Sequence, residues 1–177
     1  MQNTLSSPAT FTGYGLHSGR PVRMTVHPAA ADSGIWFRRL DVVHGNPMVP
    51  ARWDHVTPSK LCTVIENADG VSVSTIEHVM AALAGSGIHN ALIEIDAPEV
   101  PILDGSALSF VAAFLAAGLE PQDRPIRAIR VLKPVEVTEG EAVARLDPAD
   151  MLEIDFSIDF EDAAIGWGVD VTRVELQ

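Results

Sequence analysis

One stretch, Ser74 to Leu92, constrains the fold of this chain more than any other, because it carries clear signals for a helix and for both of its ends. Ser74 followed three residues later by Glu77 is a capping-box pattern that predicts a helix start. Glycines after the apolar residues predict the helix end, so the pattern predicts a helix over residues 75–86. This helix has one apolar stripe, which is predicted to face a core. The stripe is formed by Ile76, Val79, Met80 and Leu83.

Glu77 and His78 stand side by side at the mouth of this helix, and the residues alone leave two interpretations open. In the first, Glu77 only closes a capping box and His78 is a solvated helix histidine. In the second, the row of small side chains beside His78 lets a metal or a substrate approach. In that case the histidine is a metal ligand, and the neighbouring glutamate is placed to act as a general base on a metal-bound water.

Composition narrows the class of protein. The chain has 177 residues, 24 of them acidic and 12 basic, for a formal net charge of −12. This balance argues against nucleic acid as a partner. We find no signal-like N-terminus and no apolar run that could span a membrane, and we expect a soluble, cytoplasmic protein. The single cysteine, Cys62, excludes an internal disulfide and is either a nucleophile or a small apolar filler of a strand.

Around the central helix, the pattern predicts an α+β fold class: a two-layer domain of one sheet and two helices, followed by an incomplete second domain made mainly of strands. Before the helix, the turn GYGLHSG contains His17, either a loop histidine or a group lining a site, and Lys60 to Ile65 is a strand candidate. After it, DAPEVPILDGS should be a solvated surface loop. A second helix is predicted from Ser106 to Ala117, with its apolar face formed by Leu108, Val111, Ala112 and Leu115 and widened by Phe110 and Phe114.

The segment EPQDR, residues 120–124, has the composition of a linker. We therefore predict a first domain over residues 1–123 and a partial second domain over 124–177. Strand candidates in the second part are residues 126–137, 142–146, 152–160 and 169–176. A small sheet of this kind needs a cover on its apolar face, which the first domain, a second chain or a separate polypeptide must supply.

Several of these segments together resemble a known family. The segments TGYGLHSG, IWFRR, LCT, STIEHVMAALAGSGIHNALIEIDAPEVPILDGSA and IDFSIDF are similar to the zinc-dependent UDP-3-O-acyl-N-acetylglucosamine deacetylase of lipid A synthesis, over roughly residues 3 to 163. The resemblance implies two similar α+β domains with the active site between their helices. It also implies an amide hydrolase acting on UDP-3-O-acyl-N-acetylglucosamine.

The same resemblance implies roles for individual residues. Glu77 would be the general base and His78 one zinc ligand, so that a zinc-bound water attacks the N-acetyl carbonyl and Glu77 takes the proton. Further matched positions in or near the active site, taken here as substrate-binding, are His17, Leu61, Cys62, Thr63 and Asp104.

One departure from the family pattern limits this expectation. The family takes its other two zinc ligands from a His-x-x-x-Asp helix of the second domain, and no histidine of this chain has aspartate four residues later. We therefore predict that zinc is weakly held and that this chain alone is inactive or nearly so. The alternatives are a non-catalytic binding or assembly module and a truncated gene product, each with the same fold. Whether His17 or His89 replaces a missing ligand stays open.

Overall fold

The computed structural model describes residues 1–151, 154–159 and 167–172, and these residues divide between two compact units, Met1–Ile126 and Arg127–Gln177. The helices are α1 (Glu77–Gly85) and α2 (Leu108–Ala117), and a short 3₁₀ turn spans Trp53–His55. The strands of the first unit are β1 (Asn3–Leu5), β2 (Ala9–Tyr14), β3 (Pro21–Pro28), β4 (Ile35–Arg39), β5 (Met48–Pro50), β6 (Val56–Thr57), β7 (Val64–Glu66), β8 (Ser72–Ser74), β9 (Ala91–Ile95) and β10 (Leu119–Pro121). The second unit contains β11 (Val135–Glu139), β12 (Ala142–Leu146), β13 (Ile154–Asp159) and β14 (Trp167–Thr172).

A five-stranded sheet in the order β2-β3-β9-β4-β5 is the base of the first unit. Its pairs are antiparallel except β4 with β9, which run parallel. Alternation along β3 and β9 sends Met24, Val26, Ile93 and Ile95 into the core, and all four are fully buried. A separate three-stranded sheet, β6-β7-β8, leads into α1. These helices and mixed sheets confirm the predicted α+β class.

Helix α2 packs on the core through a face that differs in part from the predicted one. Phe110 and Phe114 are fully buried, and their rings lie 4.9 and 5.9 Å from the ring of Phe11 on β2. Leu108 and Leu115, predicted to face the core, are 69% and 67% exposed. The two phenylalanines bury more apolar area than the leucines would, and their edges meet Phe11 in favourable tilted geometry. The predicted apolar face of α2 was therefore correct for Phe110 and Phe114 and wrong for Leu108 and Leu115.

The EPQDR segment does not behave as a free linker. Leu119–Pro121 forms β10, which pairs antiparallel with β1 at the start of the chain. Gln122 N–H then donates to Gln2 O at 2.9 Å, and Gln2 N–H donates to Arg124 O at 2.8 Å. This segment thus closes the first unit onto its own N-terminus.

The second unit is described by two antiparallel pairs, β11 with β12 and β13 with β14. The predicted strand over 126–137 is limited to β11, whereas the strand over 142–146 is confirmed. The predicted strands over 152–160 and 169–176 are present as β13 and β14, and their outer residues fall outside the described ranges. Every residue of β11 and β12 is exposed, including the apolar positions Val135, Val137 and Leu146.

Candidate functional site

The first turn of α1 carries Glu77 and His78, and both side chains are half-buried. The helix begins here because Thr75, at φ +57°, turns the chain out of β8, and Ile76 then occupies the N-cap position. In the part of the chain that the structure describes, no side chain forms a capping hydrogen bond at this helix start. The Ser74 hydroxyl instead donates to Pro98 O at 3.2 Å, so the predicted capping box was wrong and Glu77 is not used to close one.

Glu77 instead contacts the segment Leu61–Thr63. Its Oε2 accepts a hydrogen bond from Thr63 N–H at 3.0 Å, which orients the carboxylate beside His78. Cys62 is half-buried with its Sγ 3.5 Å from Ser59 Oγ, and Leu61 is 80% exposed. The predicted strand from Lys60 was too long, since β7 begins only at Val64. These three residues therefore form a loop that lies against the start of α1.

His17 lies in the turn after β2, and this turn is tied to the approach to α1 by Glu99. The Glu99 Oε1 accepts from His17 N–H at 2.9 Å and from the Thr75 hydroxyl at 2.9 Å, and Oε2 accepts from Ser18 N–H at 2.8 Å. Burial acts to raise the pKa of Glu99, but the hydrogen bonds from His17, Ser18 and Thr75 outweigh it and lower the pKa to about 2. The carboxylate is therefore ionised at neutral pH.

Sequence reasoning missed Glu99, which it placed in a solvated acidic loop. Glu99 is only 2% exposed, and its neighbour Val100 is 1% exposed. The loop is drawn inward because Val100 N–H and Ser74 N–H form backbone hydrogen bonds across to Ser74 O and Pro98 O. The only available signal was the flanking prolines, Pro98 and Pro101, which favour an extended segment able to lie beside a strand.

Asp104 lies further along the same loop and is exposed. Its Oδ1 accepts from both the N–H and the hydroxyl of Ser106, each at 3.0 Å, and these bonds lower the pKa of Asp104. Ile102 N–H donates to Tyr14 O at 3.0 Å, which places this loop against the turn that contains His17. Hydrogen bonds thus connect the loop of Asp104, the turn of His17, the start of α1 and the Leu61–Thr63 loop.

Three other histidines, His27, His55 and His89, form hydrogen bonds with other parts of the first unit. His89 follows the C-terminal end of α1, about 10 Å of helix away from His78, and its Nδ1 accepts from Asn3 N–H at 3.1 Å. Burial lowers the pKa of His89, assisted by the N-terminal charge. His27 pairs with Glu94 at 3.2 Å, and His55 contacts Glu66 O. His89 therefore does not join the group at the start of α1.

The donor set at the start of α1 does not complete a zinc site. Across the described residues, no group of three or more histidine, cysteine, aspartate or glutamate side chains is arranged to hold a metal ion. Catalytic zinc usually takes three protein ligands, whereas the first turn of α1 offers one imidazole beside one carboxylate. The first turn of α1 alone thus does not provide a full set of zinc ligands.

Within the described ranges, neither helix has both the length and the apolar character needed to span a bilayer.

Comparison with known proteins gives a consistent match. The family model described as LpxC, UDP-3-O-acyl N-acetylglycosamine deacetylase, matches residues 2–176. The UDP-3-O-acyl-N-acetylglucosamine deacetylase of Photobacterium profundum is 47% identical over 166 residues, which cover 93% of this chain and 54% of that protein. The proteins of the same name from Phenylobacterium zucineum and Vibrio parahaemolyticus are 48% and 49% identical over 93% of this chain.

The chain spans about half the length of the curated relatives it matches, 54% and 56% of the first two. The match nevertheless includes the turn of His17, the Leu61–Thr63 loop, the start of α1 and the loop of Asp104, since it runs almost from end to end of the chain. This chain therefore belongs to the UDP-3-O-acyl N-acetylglycosamine deacetylase family.

Proposed function

We propose that this chain carries one half of the active site of a zinc-dependent deacetylase that removes the N-acetyl group from UDP-3-O-acyl-N-acetylglucosamine in lipid A biosynthesis. The observation that carries the proposal is the pairing of Glu77 with Thr63 N–H at 3.0 Å beside the half-buried His78. The names of the matched relatives supply the reaction and the substrate.

In this proposal Glu77 is the general base. A general base must be held within hydrogen-bond reach of the proton that it removes. The Thr63 N–H fixes one oxygen of the Glu77 carboxylate, so the side chain cannot swing freely about its own torsions. His78 follows directly in the chain and presents its imidazole as one ligand for zinc.

The substrate-binding residues of the proposal are His17, Leu61, Cys62, Thr63 and Asp104. The hydrogen bonds that join their three segments to the start of α1 support this grouping. Leu61 and Asp104 are exposed, as expected for side chains that meet a ligand. The turn of His17 and the loop of Asp104 are linked through Ile102 N–H and Tyr14 O.

The proposal includes the incompleteness of the metal site. One imidazole holds zinc weakly, because zinc affinity depends on assembling the full ligand set. We propose that the missing ligands belong to the half of the relatives' length that these 177 residues do not match. The isolated chain is then inactive or nearly so.

We further propose that residues 1–123 form the first deacetylase domain and that residues 124–177 are part of the second. The apolar face of the β11–β12 hairpin supports the proposal that the segment covering the second part is missing from it. Its register puts Val135 opposite Leu146 and Val137 opposite Ala144, so these apolar side chains share one face. Val135 is 49% exposed and Val137 is 65% exposed. The unmatched half of the relatives, or a second chain, would cover this face.

Complementation tests the proposal directly. The purified chain is assayed for acetate release from UDP-3-O-acyl-N-acetylglucosamine, alone and mixed with the unmatched C-terminal portion of the Photobacterium profundum protein. We expect negligible activity from the chain alone and chelator-sensitive activity from the mixture. Glu77→Ala should reduce the activity of the mixture by about 100-fold or more, the usual contribution of a general base. His78→Ala should reduce the zinc content.

Two matched variants serve as controls. Glu66→Ala removes a half-buried carboxylate of β7, and His44→Ala removes an exposed imidazole. Among the described residues, no side-chain hydrogen bond or ion pair joins Glu66 or His44 to the group around α1, so both variants should keep the activity and the zinc content of the mixture. A mixture that binds zinc tightly but releases no acetate would refute the deacetylase and support a non-catalytic module. Robust activity from the chain alone would refute the incompleteness of the site.

A further inference from the structure

The buried carboxylate of Glu99 joins three segments that are far apart in sequence. Its hydrogen-bond donors lie in the turn after β2 and at the residue that introduces α1, 82 and 24 positions away from it. We propose that Glu99 is a positioning residue that fixes the turn carrying His17 relative to the first turn of α1. The inference rests on the proposed function, because His17 is a site residue only there.

The geometry around Glu99 is that of an anion held by a turn. Two successive backbone N–H groups, those of His17 and Ser18, point at the two carboxylate oxygens at 2.9 and 2.8 Å. Successive N–H groups of a turn form a concave site that favours negative charge. Hydrogen bonds to a charged acceptor are stronger than neutral ones and give a well-defined direction. The backbone at His17 therefore cannot shift without losing a charge-assisted bond.

Thr75 extends this connection to the helix. It is 1% exposed and has φ +57°, a strained conformation that is unusual for a β-branched residue. The bond from its hydroxyl to Glu99 Oε1 at 2.9 Å helps to hold that conformation. Since Glu77 follows two residues later, the backbone angle at Thr75 sets the direction in which α1 begins.

Gly15 shows that the arrangement is closely packed from the other side. A Cβ placed on Gly15 would overlap Glu99 Oε2 and Ser18 Oγ. The φ angle of Gly15 is not in the left-handed region, so the requirement for glycine at this position is one of space. This accounts for the second glycine of the GYG motif, which folding of the turn alone does not explain.

The experiment measures amide hydrogen exchange by NMR in the full 177-residue chain. In the wild-type chain, the His17 and Ser18 amides should exchange much more slowly than the amide of Lys60, in an exposed loop. Glu99→Gln replaces one acceptor oxygen by an amide that repels the N–H donors. Gly15→Ala inserts a methyl group against the carboxylate. Both variants should raise exchange at His17 and Ser18 by about ten-fold or more relative to the core amide of Ile93.

Matched controls separate a local effect from a loss of stability. Glu94→Gln makes the same chemical change on β9, where Glu94 pairs with Arg38 and His27. Gly85→Ala adds a methyl group where nothing lies within 4 Å. Neither control should change the ratio of His17 to Ile93 exchange.

Three results would overturn the inference. The first is fast exchange at the His17 and Ser18 amides in the wild-type chain. The second is no change in exchange at these amides in Glu99→Gln. The third is a rise in exchange at Ile93 in the variants that equals the rise at His17 and Ser18. If Glu99→Gln does not fold, Gly15→Ala and the wild-type measurement decide by the same criteria. None of these readouts uses the deacetylase reaction. A failure of the positioning role is therefore distinguishable from a failure of the proposed function.

Discussion

The two ends of α1 are anchored by different chemistry. Before its N-terminal end, the carboxylate of Glu99 accepts hydrogen bonds from the turn of His17 and from Thr75. Beyond its C-terminal end, neutral amides do the corresponding work: Asn90 Nδ2 donates to Gln2 Oε1 at 2.8 Å and to Gln122 Oε1 at 2.7 Å. Asn90 Oδ1 accepts from Gly34 N–H at 2.8 Å. Asn90 is 1% exposed, so both anchors are buried.

This difference separates two tasks. A carboxylate accepts only, so it imposes one orientation on the donors around it, but its hold depends on pH. An amide offers both donors and an acceptor, so it can join several strands and does not titrate. The end that carries Glu77 and His78 thus has a directional, charged anchor. At the opposite end, the direct side-chain partners of Asn90 are neutral, and Gln2 and Gln122 hold the N-terminus and the segment after β10 against the sheet. Gln2 Nε2 also donates to the carboxylate of Asp32 at 2.8 Å.

The largest expected effect comes from the packing that both ends share. Phe110→Ala removes a fully buried ring that contacts Phe11, and should lower the free energy of unfolding by about 3–5 kcal/mol. Exchange at the amides of His17 and Ile93 should rise together. Leu108→Ala, on the exposed side of the same helix, should cost below about 1 kcal/mol. Denaturant unfolding measures both, and a larger loss for Leu108→Ala would contradict the observed face of α2.

The charged anchor should be lost in acid. The folded pKa of Glu99 is lowered from 4.5 to about 2, so the ionised group stabilises the fold fully above pH 4.5. That contribution falls as the pH drops from 4.5 towards 2, and amounts to about 3 kcal/mol in total. The difference in unfolding free energy between wild type and Glu99→Gln should therefore shrink across this range. A difference that stays constant with pH would contradict the charged anchor, and Glu94→Gln is the matched control.

The neutral anchor should show no such pH dependence. Asn90→Ala removes the acceptor of Gly34 N–H and the donor to Gln122 Oε1, and should lower the free energy of unfolding by about 1–3 kcal/mol. The same loss is expected across the acid range in which Glu99 titrates. Asn46→Ala, at an exposed turn, is the control: it removes only an exposed hydrogen bond from Met48 N–H to Asn46 Oδ1 and should lower stability by about 1 kcal/mol or less. A loss for Asn90→Ala that varies with pH would remove the contrast between the two anchors.

Part of the fold could be predicted from local signals. The apolar spacing and the glycines after Leu83 located α1 to within two residues, and the alternation in Ala91 to Ile95 located β9. The exposure of Leu108 and Leu115 could not be predicted, because nearly every residue of α2 is apolar and the helical period favours no side. Phe11, almost a hundred residues earlier in the chain, decides it.

The sequence predicted only those residues of the candidate site that belong to a recognisable motif. The Glu77–His78 pair and the residues matched to the family were found from the sequence, and their roles stay predictions. Glu99 was assigned to a solvated loop, because acidic residues between prolines are usually exposed. Its burial depends on donors from the turn of His17 and from Thr75, and no local pattern contains them.

The sequence by itself determined the family, the fold class and the pair of residues at the start of α1, because these depend on motifs and on short-range periodicity. The tertiary structure alone decided which part of the apolar face of α2 is buried, what Ser74 bonds to and where Glu99 lies. These three depend on hydrogen bonds and packing between segments distant in sequence. Such contacts are chosen by the free energy of the whole assembled core, to which each local stretch contributes only one partner.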